Sequence, residues 1–283
     1  MKSLRRSPVK AKYQKSFTKI NHQVGDSEVV FSCQNIETRT RSMYQIFNGD
    51  CLAELQNIPD ASIDMVLTDP PYSSGGLFAG NRKQDTRTKY CSKEHEGAAR
   101  FQNFSGDNMD QRSFTAFCRE VFAQVRPKVK EGGILGAFID WRNLPAMVDA
   151  VQMAGFIWLG IVVWDKRTSR PTPERFRNDC EYLVWGSNGF RPAPMVKGCK
   201  VAAGCYSVPG VQSKDKHHQT EKPVPLLEQL LQLVPDGGAV LDPFMGSGST
   251  GVACMNMGLD FYGIELDPGY FKTSQKRIEE AWF

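Results

Sequence analysis

Short apolar runs bounded by turn residues recur along the chain from Met43 onward, and longer amphipathic stretches lie between them. Met43–Phe47, Ile63–Leu67, Ile134–Ile139, Ile157–Val163, Cys180–Trp185, Ala239–Leu241 and Phe261–Ile264 have the length and flanks of β-strands. Ile157–Val163 is almost continuously apolar, which predicts a strand buried on both faces. Helices are predicted at Cys51–Gln56, capped by Asp50, and at Phe114–Arg126, where Phe114, Phe117, Val121 and Val125 recur at helical spacing before Pro127. Leu144–Ala154 ends at Gly155, and Pro223–Leu233 begins on a proline. Thr250–Met257 and Gly269–Trp282 complete the helices. Seven strands alternating with helices predict an α/β fold, a largely parallel sheet with helices on both faces.

The stretches without periodicity change the picture in two places. Residues 1–42 are polar and basic, and read as a flexible N-terminal tail ahead of one domain over 43–283. Gly75–Arg112 is rich in Gly, Arg, Lys, Asn and Gln and is too long for an ordinary connection, so it reads as a functional loop or lid. Gly186–Gln219 is likewise irregular. Charge follows the same division. The net charge is +4, yet residues 1–20 alone carry seven Lys/Arg and no acid, so the remainder sums to −3. Within that remainder, Asp165–Lys222 holds eleven Lys/Arg against six Asp/Glu. Basic blocks on a mildly acidic body suit a polyanion partner. No apolar run is long enough to span a bilayer, and no apolar segment follows the basic start as in a secretory signal. The eight cysteines form no C-x-x-C pair, so they are expected to be reduced thiols in a cytoplasmic protein.

Candidate chemistry begins where the Ile63–Leu67 strand ends, at Thr68-Asp69-Pro70-Pro71-Tyr72. Ligands of open α/β sheets collect outside the carboxyl ends of strands. Two prolines fix two backbone dihedrals and remove two N–H donors. What remains is a stiff row of acceptors, the Asp69 carboxylate and the Pro70 carbonyl, beside a flat ring. Such a turn suits an NH₂ group on an aromatic plane.

A second constellation is Val240-Leu241-Asp242-Pro243-Phe244-Met245-Gly246-Ser247-Gly248-Ser249-Thr250-Gly251. It places G-x-G-x-x-G between a strand and a helix, and Glu265 ends the following strand, where a carboxylate can accept from ribose hydroxyls. No lysine follows the loop, which excludes a P-loop. A dinucleotide or S-adenosylmethionine could occupy it. Asp242 at its entrance favours the latter, which is cationic and carries no phosphate. Only 32 residues follow Gly251, so the rest of the sheet must come from earlier in the chain. The order is then circularly permuted, with the strand ending at Leu67 expected beside the one ending at Leu241.

Together with His218-Gln219-Thr220-Glu221-Lys222-Pro223, these motifs resemble the β-class DNA amino-methyltransferases in identity and order, from about Met43 onward. The resemblance implies a seven-stranded Rossmann-like methyltransferase sheet, mostly parallel with one antiparallel strand, that binds S-adenosyl-L-methionine. It assigns catalytic roles to Asp69, Pro70, Pro71 and Tyr72. It assigns the cofactor pocket to Asp242, Phe244, Gly246, Gly248 and Glu265, with Asp50, Thr220 and Lys222 completing it and Thr68, Ser249 and Thr250 adjoining. The implied partner is double-stranded DNA, with a homodimer left open, and target recognition falls to about 186–216 and 75–112. Asp at the first motif position resembles the adenine-N6 enzymes, whereas Ser is commoner for cytosine-N4. The target base would be flipped out of the duplex. Cytosine-C5 chemistry is not expected, since that family's Pro-Cys pair is absent.

Rival readings fit less of the chain. A nicotinamide oxidoreductase could use the glycine loop but leaves Asp69–Tyr72 idle. A DNA-binding protein without catalysis would not need both motifs. RNA and protein amino-methyltransferases generally place the cofactor loop first. Cys199, Cys205, His217 and His218 have no tight zinc spacing, and no metal is expected. Trp141, Trp158, Trp164 and Trp185 read as core or rim aromatics.

Overall fold

The computed structural model describes residues 19–24, 27–32, 42–72, 109–167, 173–174, 176–191, 199–211 and 221–282. Thr220, His217, His218 and most of the two expected recognition stretches lie outside the described residues. Ten strands form one sheet: β1 (Lys19–Val24), β2 (Ser27–Ser32), β3 (Tyr44–Asn48), β4 (Ile63–Thr68), β5 (Val129–Ile139), β6 (Ile157–Asp165), β7 (Cys180–Ser187), β8 (Cys205–Ser207), β9 (Ala239–Asp242) and β10 (Asp260–Glu265). The helices are α1 (Cys51–Glu54), α2 (Gln111–Val125), α3 (Leu144–Met153), α4 (Val224–Leu230), α5 (Ser249–Met257) and α6 (Pro268–Trp282).

The strand order is β1-β2-β3-β10-β9-β4-β5-β7-β6-β8. From β3 to β5 every pairing is parallel. Each of the seven expected runs is a strand, and among these seven only β7 runs antiparallel to its sheet neighbours, β5 and β6. The described residues nevertheless hold ten strands rather than seven. The β1–β2 hairpin pairs antiparallel onto β3 from within the segment read as a tail. Its sequence, Lys-Ile-Asn-His-Gln-Val then Ser-Glu-Val-Val-Phe-Ser, is too polar for a periodicity reading to isolate. β8 has three residues, too few for any pattern.

Alternation along the central strands sorts the core onto two faces. Phe47, Val66, Leu135, Ala137, Ile139 and Leu241 point to the side covered by α2 and α3. Ile46, Met65, Leu67, Ile134, Phe138 and Val240 point to the side covered by α4, α5 and α6. Burial on both sides is why these strands read as continuous apolar runs rather than alternating ones. β6 departs from that rule. Ile157, Leu159 and Ile161 are 47%, 43% and 37% exposed, so the expected two-sided burial does not hold. β8 pairs only with Val163–Asp165, which leaves the first half of β6 as an edge.

Caps follow the sequence closely. Asp50 accepts from the Leu52 N–H at 2.9 Å and starts α1. Asp110 accepts from the Arg112 and Ser113 N–H groups at 3.0 and 3.1 Å, so α2 begins three residues before the first periodic apolar residue.

Close packing also fixes where α5 lies. A Cβ added at Gly251 would meet both Ile278 Cγ1 and Phe261 Cε1 at 2.8 Å. Gly251→Ala is therefore expected to destabilise the fold by about 1–3 kcal/mol through overpacking, read as a lowered midpoint in urea unfolding with an unchanged slope.

Candidate active site

Parallel pairing of Met65 with Val240 and Val66 with Leu241 puts the carboxyl ends of β4 and β9 side by side, as expected from the order of the motifs. Asp242, 3% exposed, closes the junction. Its Oδ1 accepts from the Thr68 hydroxyl at 2.8 Å and the Phe244 N–H at 3.1 Å, and its Oδ2 accepts from the Thr250 hydroxyl at 2.7 Å. One carboxylate thus ties the end of β4, the glycine loop and the first turn of α5. A carboxylate has about four acceptor sites, so one remains for a further donor. Burial raises the Asp242 pKa to about 6, against the lowering effect of these hydrogen bonds.

The glycine loop turns back through Gly248, whose φ of 83° lies in the left-handed region, before α5 starts at Ser249. Glu265, at the end of β10, faces it: Oε2 accepts from the Gly246 N–H at 2.9 Å and Oε1 from the Asp267 N–H at 2.8 Å. Burial raises its pKa to about 7. The Glu265 carbonyl accepts from the Gly49 N–H at 3.0 Å, which brings exposed Asp50 to the same rim. Phe244 is half-buried, its ring 5.9 Å from that of Phe117. Ser249 donates to Glu221 Oε1 at 3.2 Å, and Arg277 pairs with the same carboxylate at 2.6 Å while donating to the Ser247 carbonyl at 2.8 Å.

Past β4, Pro70 is buried and Pro71 half-buried. The Tyr72 carbonyl accepts from Asn143 Nδ2 at 2.7 Å, which fastens the turn to the corner between β5 and α3. The Tyr72 hydroxyl donates to Glu181 Oε2 at 3.1 Å. Lys222, which the resemblance grouped with the cofactor pocket, instead donates its ammonium to Asp69 Oδ2. That ammonium lies 3.4 Å from Glu181 Oε2 and 5.1 Å from the ring centroids of both Tyr72 and Phe138. Lys166 pairs with Glu181 Oε1 at 3.0 Å. Asp69 Oδ1 is buried and accepts no hydrogen bond, the sole such side-chain atom among the described residues. A buried acceptor without a donor is costly unless it has a use.

Electrostatics divide the two acids of this cluster. Burial pushes the Asp69 carboxyl above its ordinary range despite the Lys222 ammonium, and the Glu181 charge adds to the rise. Burial also works against Glu181, but the Lys222 and Lys166 ammoniums outweigh it and hold that carboxyl low. For Lys222 burial favours the neutral amine, yet Asp69 and Glu181 overcome it and raise the pKa. Burial, then Asp69 and Glu181, keep the Tyr72 phenol protonated. Lys222 is thus an ammonium held between a firm anion and a more basic one.

The structure therefore gathers Thr68, Asp242 and Thr250 in one cluster, Asp69, Tyr72 and Lys222 in a second, and Gly246, Glu265 and Asp50 along an adjoining rim. Glu181, Lys166, Asn143 and Arg277 escaped the sequence reading. The signal for Glu181 was a lone acid inside an apolar strand, Cys180–Ser187. Trp164 is core at 4% exposure, whereas Trp141 and Trp158 are 47% and 42% exposed. No group of His, Cys, Asp and Glu among the described residues is arranged to hold a metal ion.

Buried acids with raised pKa values make stability depend on pH. In the folded state Asp242 and Glu265 keep protons that the unfolded chain releases near 4. Their protonated forms stabilise the fold fully below that pH, and the contribution is lost as pH rises through about 6 and about 7. Asp242→Asn is expected to lose about 2–3 kcal/mol less unfolding free energy than wild type between about pH 4 and pH 7.5. Urea titrations at both pH values measure it.

The chain is similar to several known proteins. The N6/N4 methyltransferase family, described as DNA methylase, matches residues 63–276. A putative methylase, YubD of Escherichia coli (strain K12), is 30% identical over 241 residues, covering 83% of this chain and 90% of that protein. The type II methyltransferase M2.MboI of Moraxella bovis is 26% identical over 253 residues, covering 84% and 88%. Among solved structures, the M1.HpyAVI–SAM complex aligns with a TM-score of 0.60 at 24% identity, covering 83% of this chain and 99% of that one. The PvuII cytosine-N4-specific DNA methyltransferase aligns with a TM-score of 0.61 at 17% identity, covering 84% and 91%. The matched span runs from the strand that carries Asp69 to the helix that carries Arg277, and by that match the chain belongs to the N6/N4 DNA methylase family.

Proposed function

We propose that the protein transfers a methyl group from S-adenosyl-L-methionine to the exocyclic N6 of an adenine flipped out of double-stranded DNA. The observation that carries this reading is the buried, unpartnered Oδ1 of Asp69, on a carboxylate whose other oxygen already holds an amine. It lies one strand away from a glycine loop lined by two acids. M1.HpyAVI was solved with SAM, and the residues here suit the same cofactor. Asp242 retains an acceptor site for an ammonium, and Glu265 is placed for ribose hydroxyls. The paired carboxylates would repel a pyrophosphate. We read the order of the motifs, Asp69 before Asp242, as the permuted arrangement.

When bound, the cofactor supplies an electrophilic methyl on a sulfonium. The chain's own residues prepare the acceptor. The exocyclic nitrogen of adenine is a weak nucleophile because its lone pair is delocalised into the ring. Asp69 and the Pro70 carbonyl accept its two N–H bonds and draw it toward tetrahedral geometry, which frees that lone pair. As positive charge develops on nitrogen, the Asp69 carboxylate stabilises it and takes up the N–H proton that the methylated nitrogen releases, a role its raised pKa suits better than the lowered one of Glu181. Tyr72 offers its ring to the base, held by the hydroxyl bond to Glu181 and the carbonyl bond to Asn143. The fastened turn supplies positioning. The basic segments of the chain would hold phosphates. Asp at the first motif position resembles the adenine-N6 enzymes, and that resemblance is the ground for choosing adenine over cytosine-N4, whose NH₂ group a fold shared with the PvuII enzyme accommodates equally. No helix among the described residues is long and apolar enough to cross a membrane; a DNA substrate is the ground on which we place the protein in the cytoplasm.

Incubation with methyl-labelled cofactor and unmethylated DNA, followed by nucleoside analysis, is expected to yield N6-methyladenine. N4-methylcytosine would select the other amino target, and unlabelled DNA of every sequence tried would sink both. Asp69→Ala is expected to lower the single-turnover rate by about a thousandfold or more while cofactor affinity stays within about threefold. An active Asp69→Ala enzyme would remove Asp69 from the chemistry.

A further inference from the structure

Lys222 sits on the carboxylate that the target's amino group is proposed to reach. Its side chain is 6% exposed, its ammonium donates to Asp69, and the rings of Tyr72 and Phe138 flank it at 5.1 Å. A nitrogen donor between a carboxylate and aromatic faces is also what an exocyclic amino group would form at Asp69. Lysine and substrate would therefore share one carboxylate, the ammonium on Oδ2 and the amino group on the unpartnered Oδ1, and the ammonium neutralises the charge that the reacting nitrogen calls for. Glu181 offers a second. Its Oε2 is 3.4 Å from the Lys222 ammonium and 3.1 Å from the Tyr72 hydroxyl, while Lys166 steadies Oε1 at 3.0 Å. A shift of less than 1 Å would turn the longer ion pair into a full hydrogen bond.

We propose that Glu181 is a positioning residue for methyl transfer: it draws the Lys222 ammonium off Asp69 and holds the Tyr72 ring by its hydroxyl, so that the full charge of Asp69 faces the amino group of the target base. This rests on the reading of Asp69 as the acceptor for that amino group. No bond is made or broken in the move, and Lys222 stays protonated throughout. Once its ammonium has gone, the Asp69 carboxylate is the anion facing the nitrogen that becomes positive. The same shift keeps Lys222 paired, so no buried cation is stranded.

Glu181→Gln keeps the shape and an acceptor for Tyr72 but removes the charge that attracts Lys222. It is expected to slow single-turnover methylation about 10- to 100-fold with cofactor affinity within about threefold. Adding Lys222→Met to that variant is expected to recover at least about threefold, because the cation that neutralises Asp69 is gone. Glu181→Asp, which keeps the charge, is expected to stay within about fivefold of wild type. Glu181→Gln at the wild-type rate, or no recovery in the double variant, overturns the proposal. A second readout needs no turnover. The ¹⁵N-lysine ammonium resonance of Lys222 is expected to move in both Asp69→Asn and Glu181→Gln, and a signal indifferent to Glu181→Gln overturns the proposal by itself. Failure of wild-type enzyme to label DNA counts against the functional reading alone, and the resonance then still decides the role of Glu181.

Discussion

A carboxylate taken out of water has to be met by donors, and Asp242 shows what that requirement can build. Three donors converge on it, from the end of β4, from the glycine loop and from the first turn of α5. None could be lost cheaply at a site so thoroughly buried. The parallel pairing of β4 with β9 brings the strand ends together, and this side chain then locks the turn that follows one to the loop that follows the other. The separation of the Asp69 turn and the glycine loop is therefore set by strand pairing and three hydrogen bonds. Sites carried on rigid elements hold their reacting groups more closely than sites on free loops.

The second buried charge cluster obeys a different logic. Asp69, Glu181, Lys222 and Lys166 balance in number, but not in how firmly each is held. Glu181 has two ammoniums and a phenol around it, and Asp69 has one ammonium and an unpartnered oxygen. Buried ion pairs give uncertain net stability against apolar packing of the same volume. Such a cluster at the carboxyl edge of the sheet is better understood through function. It keeps one acid fully compensated and leaves the other available.

Much of this arrangement was legible in the residues, because the signals were local. The apolar runs marked every central strand, Asp50 marked a helix start, and the spacing of Asp69 and Asp242 against their strands placed both at carboxyl ends. What could not be read was non-local. Thr68 ends a strand and Thr250 lies in the first turn of a helix, and only when β4 and β9 pair do both hydroxyls find one carboxylate. Glu181 looked like an irregularity in a core strand, and only the antiparallel insertion of β7 beside β5 carries it to Tyr72. Ile157, Leu159 and Ile161 show the converse error. An apolar run reports what a strand could bury, whereas burial depends on the neighbours it receives, and three-residue β8 covers only the far half of β6. Lys222 was assigned by motif to one pocket, yet the length of its side chain lets it reach the other.

β3 and β4 are successive in sequence but not adjacent in the sheet, since β10 and β9 lie between them. The slot is filled by residues 239–265, and the Thr68–Asp242 bond spans 174 positions. During synthesis the Asp69–Tyr72 turn leaves the ribosome long before the strands that must flank it. Until those strands arrive, β4 has an open edge and its face toward α4–α6 lacks much of its cover, which is the kind of surface chaperones protect. High sequence separation also slows folding, because loop closure is paid before the contacts that reward it. A ribosome that stalls before residue 239 would thus release a chain carrying the whole Asp-Pro-Pro-Tyr turn without the sheet that gives it a shape. The protein becomes competent at nearly the same moment that it becomes folded.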